Sequence, residues 1–341
     1  MGSLDVAGLS VIDRLVVTAH RAGCSPILLM GMDRPRLERT DALGIPVTPV
    51  PDWPSEFREP VLSIDGSVVL EARDLENVMT QSGRLVRADG TSLPVRMTVQ
   101  DPKPVLAGSV ATLVQDKSSA AEAEGKLWAS LASPLDGLVD RLINRPLGRP
   151  LSKLLVHTRI SPNQVSLASI LIGLASAWFF LRGYFVVGAL VFQLSAIIDC
   201  VDGDLARALH KQSRLGKWLD LGGDQVVHVA VFAALGVGVF RSDPSVPAVA
   251  LGGSAVVGVL LCFAVILRSL RQPVSHRSPL ANKLLDAAAN RDFSILLLAL
   301  AIFDQMDLFL WMAGIGIHVF WITLLALNSG RAAPALSREA A

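Results

Sequence analysis

Four aspartates fall in two pairs at helical spacing, Asp199 with Asp202 and Asp220 with Asp224, in the stretch IIDCVDGDLARALHKQSRLGKWLDLGGDQ that runs from Ile197 to Gln225. Residues three or four apart share one face of a helix, so each pair points one way from its own helix, and two facing pairs make one cage. Four carboxylates packed together repel one another and hold protons more tightly unless cations neutralise them; such hard oxygen donors suit Mg2+, Mn2+ or Ca2+ rather than zinc. The expected occupant is one divalent ion, or two. The greasy surroundings sharpen this, because carboxylates at membrane depth are costly unless paired, metal-bound or facing water.

Gly203, Ala206, Arg207 and Gly216 lie between the pairs. Small residues on the carboxylate helix let a ligand such as a nucleotide come close, and Gly216 suits the turn between two helices. The whole pattern reads D-x2-D-G-x2-A-R-x8-G-x3-D-x3-D, from Asp199 to Asp224. At every fixed position it resembles the signature of the CDP-alcohol phosphotransferase family, integral membrane enzymes with six transmembrane helices. The resemblance implies transfer of a phosphoalcohol group from a CDP-alcohol donor to a hydroxyl acceptor with release of CMP, dependent on Mg2+ or Mn2+, two ions in all, and it implies a homodimer. On the same basis Asp199, Asp202 and Asp220 are metal ligands, and Asp224 is the catalytic base that also reaches the second metal. Asp199, Asp202, Gly203, Ala206, Arg207 and Gly216 then line the nucleotide.

The elements that must position these groups divide sharply near residue 160 of the 341. Before that point charges, prolines and short apolar runs alternate as in a soluble domain; after it come long apolar stretches. The expected architecture is a small open-sheet α/β domain over residues 1–116, a linker and juxtamembrane amphipathic helix over 117–160, an all-α membrane domain of six transmembrane helices over 161–330, and a tail over 331–341. A net charge of +1 without a basic arm speaks against a nucleic-acid partner. Cys24, Cys200 and Cys262 are odd in number and far apart, which fits neither a disulfide framework nor a zinc knuckle. Cys200 has no histidine base near it in sequence and reads as a packing residue. Met1–Ser10 has neither a basic segment nor a long apolar core, so the first half is expected to stay in the cytoplasm.

In that half, Ser10 to Ala22 reads as a helix with Ile12, Leu15, Val16 and Ala19 on one face, ended by Gly23. A strand over Pro26–Gly31, a helix over Pro35–Leu43 and a strand over Ile45–Val50 follow, an alternation that predicts a parallel sheet. Further strands are expected at Pro60–Ile64, Arg84–Ala88, Pro94–Val99 and Pro104–Ala107, with a helix over Glu71–Gln81. Val6 to Arg14 resembles the segment after the glycine-rich first loop of sugar-phosphate nucleotidyltransferases, and Asp65-Gly66 resembles their mid-domain acidic position. The phosphate-binding loop itself would lie before Met1, and backbone N–H groups in such a loop are what hold a triphosphate. This half is therefore read as a degenerate cytidylyltransferase-like domain with a structural or regulatory role.

Lys117–Glu124 reads as a polar, Ala-rich connector. Leu135, Leu138, Val139, Leu142 and Ile143 then recur at helical spacing opposite Asp136, Asp140, Arg141 and Arg145 until Pro146 interrupts. Such a segment either lies in the membrane interface or packs on the soluble domain. Pro162 suits the first turn of the first span. Spans are expected at 164–181, 184–206, 218–240, 246–267, 292–304 and 307–328, the fifth of them short. Basic residues collect between spans two and three (Arg207, Lys211, Arg214, Lys217) and between four and five (Arg268, Arg271, Arg277, Lys283, Arg291), against Arg182 and Arg241 in the alternate loops. The positive-inside rule then puts the motif and both termini on the cytoplasmic side.

Lys211, Arg214, Arg268, Arg271 and Arg291 are candidates for an acceptor phosphate, or else simply obey that rule. His228, one helical step past Asp224, either extends the metal face or is a hydrogen-bonded bundle residue. Gly314 and Gly316, with Ala313, read as helix-packing positions. By resemblance to the inositol-phosphate branch of the family, the donor is a CDP-diacylglycerol or CDP-inositol and the acceptor an inositol phosphate; glycerol phosphate or another polar alcohol is the close alternative. A divalent-cation transporter is the rival of a different class, but it would keep its acids near the bilayer midplane.

Overall fold

The computed structural model describes residues 4–31, 37–51, 60–132, 136–271 and 293–329; the tail expected over 331–341 lies outside them. The chain forms two compact units, one of residues 1–132 with 153–159 and 205–211, the other of 133–152, 160–204 and 212–341.

The first unit is α/β. A two-residue hairpin of β1 (Asp5–Val6) and β2 (Leu9–Ser10) leads into α1 (Val11–Arg21), which Ser10 caps by accepting from the Asp13 N–H. Ile12, Leu15, Val16 and Ala19, the predicted apolar face, are all buried. β3 (Ile27–Met30) pairs in parallel with β4 (Val47–Val50), and the short α2 (Glu38–Ala42) falls between them. The other predicted strands appear as β5 (Leu62–Ile64), β7 (Gly83–Val86), β8 (Ser92–Met97) and β9 (Lys103–Leu106), with α3 (Ala72–Thr80) before β7.

These four strands form a sheet in the order β5-β8-β7-β9. β8 runs antiparallel to both its neighbours while β7 and β9 are parallel, so the sheet is mixed and not parallel throughout. The short Asp89-Gly90 turn explains this, because strands joined by a tight turn can only be antiparallel. β6 (Val68–Val69) and β10 (Thr112–Leu113) make a further antiparallel pair too short for the sequence to announce.

The expected connector after residue 116 is instead a helix of this unit, α4 (Lys117–Ser130), N-capped by Asp116. One face of it is core and not spacer: Ala120, Ala123, Leu127 and Trp128 are buried, and Glu124 accepts from the Trp128 indole (3.0 Å) and from the Ala7 N–H (3.3 Å).

In the second unit a π-helical turn, Asp140–Asn144, runs into α5 (Arg145–Leu155), so Pro146 does not interrupt the helix. A π turn leaves a carbonyl without its usual donor where proline has no N–H to give, which lets the helix pass a proline. Leu138, Leu142 and Leu147 face outward, each 60 to 69% exposed, while Asn144, Arg145, Gly148 and Ser152 are buried; Leu135 lies outside the described residues.

Then come α6 (Pro162–Leu181), α7 (Phe185–Ala208), α8 (Arg214–Ser242), α9 (Ala248–Leu270), α10 (Phe293–Ile302) and α11 (Met306–Ser329). α6 starts as expected, with Pro162 in its first turn and a Ser161/Gln164 capping box. Among the described residues five helices are long and apolar enough to cross a membrane; α10, with 10 residues, is not. At 1.5 Å per residue it reaches about 15 Å, half of a ~30 Å hydrocarbon core.

α6 packs along α8, α8 along α9 and α9 along α11, around Phe180, Phe192, Val227, Leu235, Leu297 and Leu310. α8 and α9 touch backbone to backbone at Gly236 and Gly252, where an added Cβ would lie 2.8–2.9 Å from the facing chain. Gly314 likewise meets the Leu251 carbonyl of α9, but among the described residues nothing lies within 4 Å of a Cβ built at Gly316. His318 ties the same two helices. Trp321 donates to its Nδ1 (3.0 Å), so Nε2 carries the hydrogen and donates to Ser254, whose hydroxyl donates on to the Gly314 carbonyl (2.9 Å).

Candidate active site

α7 brings Asp199 and Asp202, and α8 brings Asp220 and Asp224. Carboxylate oxygens of Asp199, Asp220 and Asp224 lie within 4.8 Å of one another. Asp199 and Asp224 are half-buried and Asp220 is exposed, so the cluster is open on one side. Asp202 stands behind it, 7% exposed, within electrostatic reach of Asp220 and Asp224.

The helices are held to this arrangement by α6. Gly223, next to Asp224, passes so close to it that a Cβ there would come 2.3 Å from Ile170, and Gly173 allows the same approach by Val227. Two serines of α6 hold the α7 acids: Ser166 donates a short hydrogen bond to Asp202, and Ser169 donates to Asp199 at 3.3 Å. Ser195 in turn donates to the Ser169 carbonyl (2.8 Å), tying α7 back to α6. These serines were not predicted as site residues. Their signal was present as polar residues at three-residue spacing, Ser166 and Ser169, inside an apolar span.

Gly216 is not in the turn between the helices but in the first turn of α8, whose N-cap Ser213 accepts from the Gly216 N–H at 2.9 Å. A Cβ at Gly216 would sit 3.0 Å from the Asn163 side-chain oxygen, so the glycine lets the start of α6 approach. The turn itself is Leu209–Ser213, with His210 in the left-handed region at φ 52°. Gly203, Ala206 and Arg207 are half-buried on α7. Lys211 is half-buried, Arg214, Arg268 and Arg271 are exposed, and Arg291 lies outside the described residues.

His228 does not join the carboxylates. Its ring stands edge-on to Phe293 at 5.3 Å and near Phe192 at 6.3 Å, inside the bundle. Cys200 points away to Asp140 (3.7 Å). In the first unit, Asp65 accepts from the backbone and hydroxyl of Ser67, the work of a turn residue.

Residues 159–327 match the family model described as CDP-alcohol phosphatidyltransferase, and through this half of its length the chain belongs to that family. It is 34% identical over 173 residues to the bifunctional IPC transferase and DIPP synthase of Rubrobacter xylanophilus, which covers 51% of this chain and 37% of that protein. It is 30% identical over 118 residues to the archaetidylinositol phosphate synthase of Pyrococcus horikoshii, or 34% of this chain and 62% of that one. Across four bifunctional relatives of this name the chain spans only 20 to 37% of their length. Among solved structures, the phosphatidylinositol phosphate synthase of Mycobacterium tuberculosis with CDP-DAG bound aligns at 21% identity and a TM-score of 0.42, over 58% of this chain and 99% of that one.

Proposed function

We propose that the chain transfers a phosphoalcohol group from a CDP-alcohol, a CDP-diacylglycerol or CDP-inositol, to the hydroxyl of a polar acceptor, an inositol phosphate first among them. The observation that carries this is the convergence of Asp199, Asp220 and Asp224 from two helices of the family domain. An all-oxygen, all-anionic donor set fits Mg2+ or Mn2+, one ion or two, and Asp202 stands ready beside it. Metal bound there would neutralise pyrophosphate charge and ease the departure of CMP.

The chain's own residues do the rest. Asp224, half-buried at the edge of the cluster, takes the proton of the attacking hydroxyl as its oxygen bonds to the phosphorus that carries the donor alcohol, and the bond from that phosphorus to the CMP oxygen breaks. Gly203 and Ala206 give the nucleotide room against α7. Ser166 and Ser169 hold Asp202 and Asp199 in place. What supports an inositol-phosphate acceptor is the naming of relatives such as the archaetidylinositol phosphate synthase. Glycerol phosphate is the alternative acceptor.

The first unit is proposed to be a degenerate cytidylyltransferase-like domain without transfer chemistry of its own. What supports this is the Asp65 carboxylate, the counterpart of the acidic mid-domain position, which accepts from the backbone and hydroxyl of Ser67 within its own turn. The full chain should release no pyrophosphate from CTP and a phosphoalcohol. The membrane topology proposed has six crossings, with α10 completing the fifth, and the motif on the cytoplasmic side. Cysteines placed beside Arg182 or Arg241 should then label from outside the cell and those beside Lys211 or Lys283 should not.

The deciding experiment is CMP release by purified protein with Mn2+, given CDP-diacylglycerol or CDP-inositol and a panel of acceptors. No CMP with any pair, from protein that binds Mn2+, would remove the transferase reading; Mn2+ binding without CDP-alcohol binding would favour a cation transporter.

A further inference from the structure

A fifth aspartate of the motif stretch, Asp204, belongs to a different constellation. At ~100° per residue it lies ~160° around α7 from Asp202. It is 1% exposed. Arg145, at the start of α5, donates to it through Nη1, and the same guanidinium forks onto Asp136 through Nε and Nη2, the latter at 2.7 Å. Ser152 Oγ lies 3.5 Å from Asp204, and Arg149 Nε 3.9 Å. The side chains of Arg145 and Asp136 are each 8% exposed. Behind this cluster Gly148 brings α5 against α7, since a Cβ there would lie 3.0 Å from the Ile197 carbonyl and 3.1 Å from Val201.

Burial works against the charge on Arg145, yet its two carboxylate partners hold its proton more tightly than usual. Buried ion pairs of this kind stabilise little compared with apolar residues of similar volume, but they admit few alternative arrangements. What this one specifies is the rotation of α7. A turn of ~10° about the helix axis moves a carboxylate ~5 Å from that axis by ~0.9 Å. Metal–ligand distances tolerate about 0.2 Å. We propose that Arg145, by clamping Asp204 on the far face of α7, is a positioning residue that fixes the aim of Asp199 and Asp202 at the metal.

This rests on the metal-dependent reading of the site, and the test reads metal affinity directly. Mn2+ binding to the full chain in detergent, measured by the loss of the free-ion EPR signal, is compared among the parent, Arg145→Lys, and the apolar triple variant Asp136→Leu, Arg145→Met, Asp204→Leu. The triple variant is expected to melt within a few degrees of the parent while its Mn2+ Kd rises about tenfold or more, the scale of outer-shell losses at metal sites. Arg145→Lys keeps the charge but loses the fork, so it should fall between them. A folded triple variant with a Kd within twofold of the parent would overturn the proposal. Should the triple variant fail to fold, Arg145→Lys decides alone: a lowered melting temperature with unchanged Kd means a merely structural ion pair. Failure of the transferase reading looks different, because the parent then binds Mn2+ without releasing CMP and the clamp is still read from affinity.

Discussion

The two units bury charge in opposite ways. In the first, Asp13 is 2% exposed and accepts from the Arg39 N–H (2.7 Å), the Thr40 N–H (2.8 Å) and the Thr40 hydroxyl (2.7 Å). Beside it Arg14, also 2% exposed, donates to the carbonyls of Val6 (2.7 Å), Ala7 (3.2 Å) and Ala208 (2.8 Å). Those charges are met chiefly by backbone groups. In the second unit three carboxylates of like charge are brought within 4.8 Å of one another. Polar density alone does not mark a site; what marks it is like charge that the protein gathers in one place, where a bound cation is favoured.

The sharpest way to break this contrast is to neutralise one acid at a time. Asp224→Asn is expected to lower CMP release about a hundred- to ten-thousandfold, the usual cost of a lost general base, while retaining much of the CDP-alcohol affinity. Asp199→Asn should lose affinity and turnover together. Equal loss of binding in both variants would make Asp224 a ligand first, and turnover within a few-fold of the parent in Asp224→Asn would end its role as base.

A smaller effect is expected from the hydroxyl that supports the cluster. Ser166→Ala leaves the four acids intact but removes the donor to Asp202, and should raise the Mn2+ concentration for half-maximal CMP release about tenfold. No change in that concentration would mean Asp202 is aimed without α6.

The smallest effect belongs to the first unit and concerns acid. His210 is packed among Arg14 and Arg21 of α1 and Arg39 of α2, and burial followed by these three cations pushes its pKa from 6.5 down to about 3. The unfolded chain therefore takes up a proton on this ring below pH 6.5 that the folded unit refuses. Stability from this source is constant above pH 6.5 and falls between 6.5 and 3, by at most ~1.4 kcal/mol per pH unit. His210→Asn removes the titrating ring and tolerates the positive φ. It should flatten the fall in melting temperature between pH 6.5 and 4; an unchanged slope would show that other groups set it.

Much of this was legible in the residues. Spacing alone put Asp199 and Asp202 on one helix and Asp220 and Asp224 on the next, and apolar runs bounded by glycine and proline located α1, α3 and the longer strands. Two kinds of feature were not. Asp204, inside the motif, reads like its neighbours in one dimension, and only the packing of α5 shows that it answers to Arg145. The segment over Lys117–Glu124 looked like spacer because alanines and serines carry little hydropathy, yet small residues such as Ala120 and Ala123 are what a helix needs to lie close against a core.

α7 is shared property. Its length up to Asp204 falls in the helical unit, and its last residues, with the turn to Lys211, fall in the α/β unit. The signature from Asp199 to Arg207 therefore straddles a seam, which bears on how such a chain can be recombined. A membrane domain grafted after residue 160 onto this first unit must bring a foreign 205–211 segment with it. Arg14 and Arg39 would hydrogen-bond that segment through backbone carbonyls, those of Ala208 and His210. The graft must also bring side chains that fit, since Leu205, Ala208 and Leu209 are buried. It is intolerant of shape: the incoming helix must end at the same residue and turn left-handed two residues later, as His210 does.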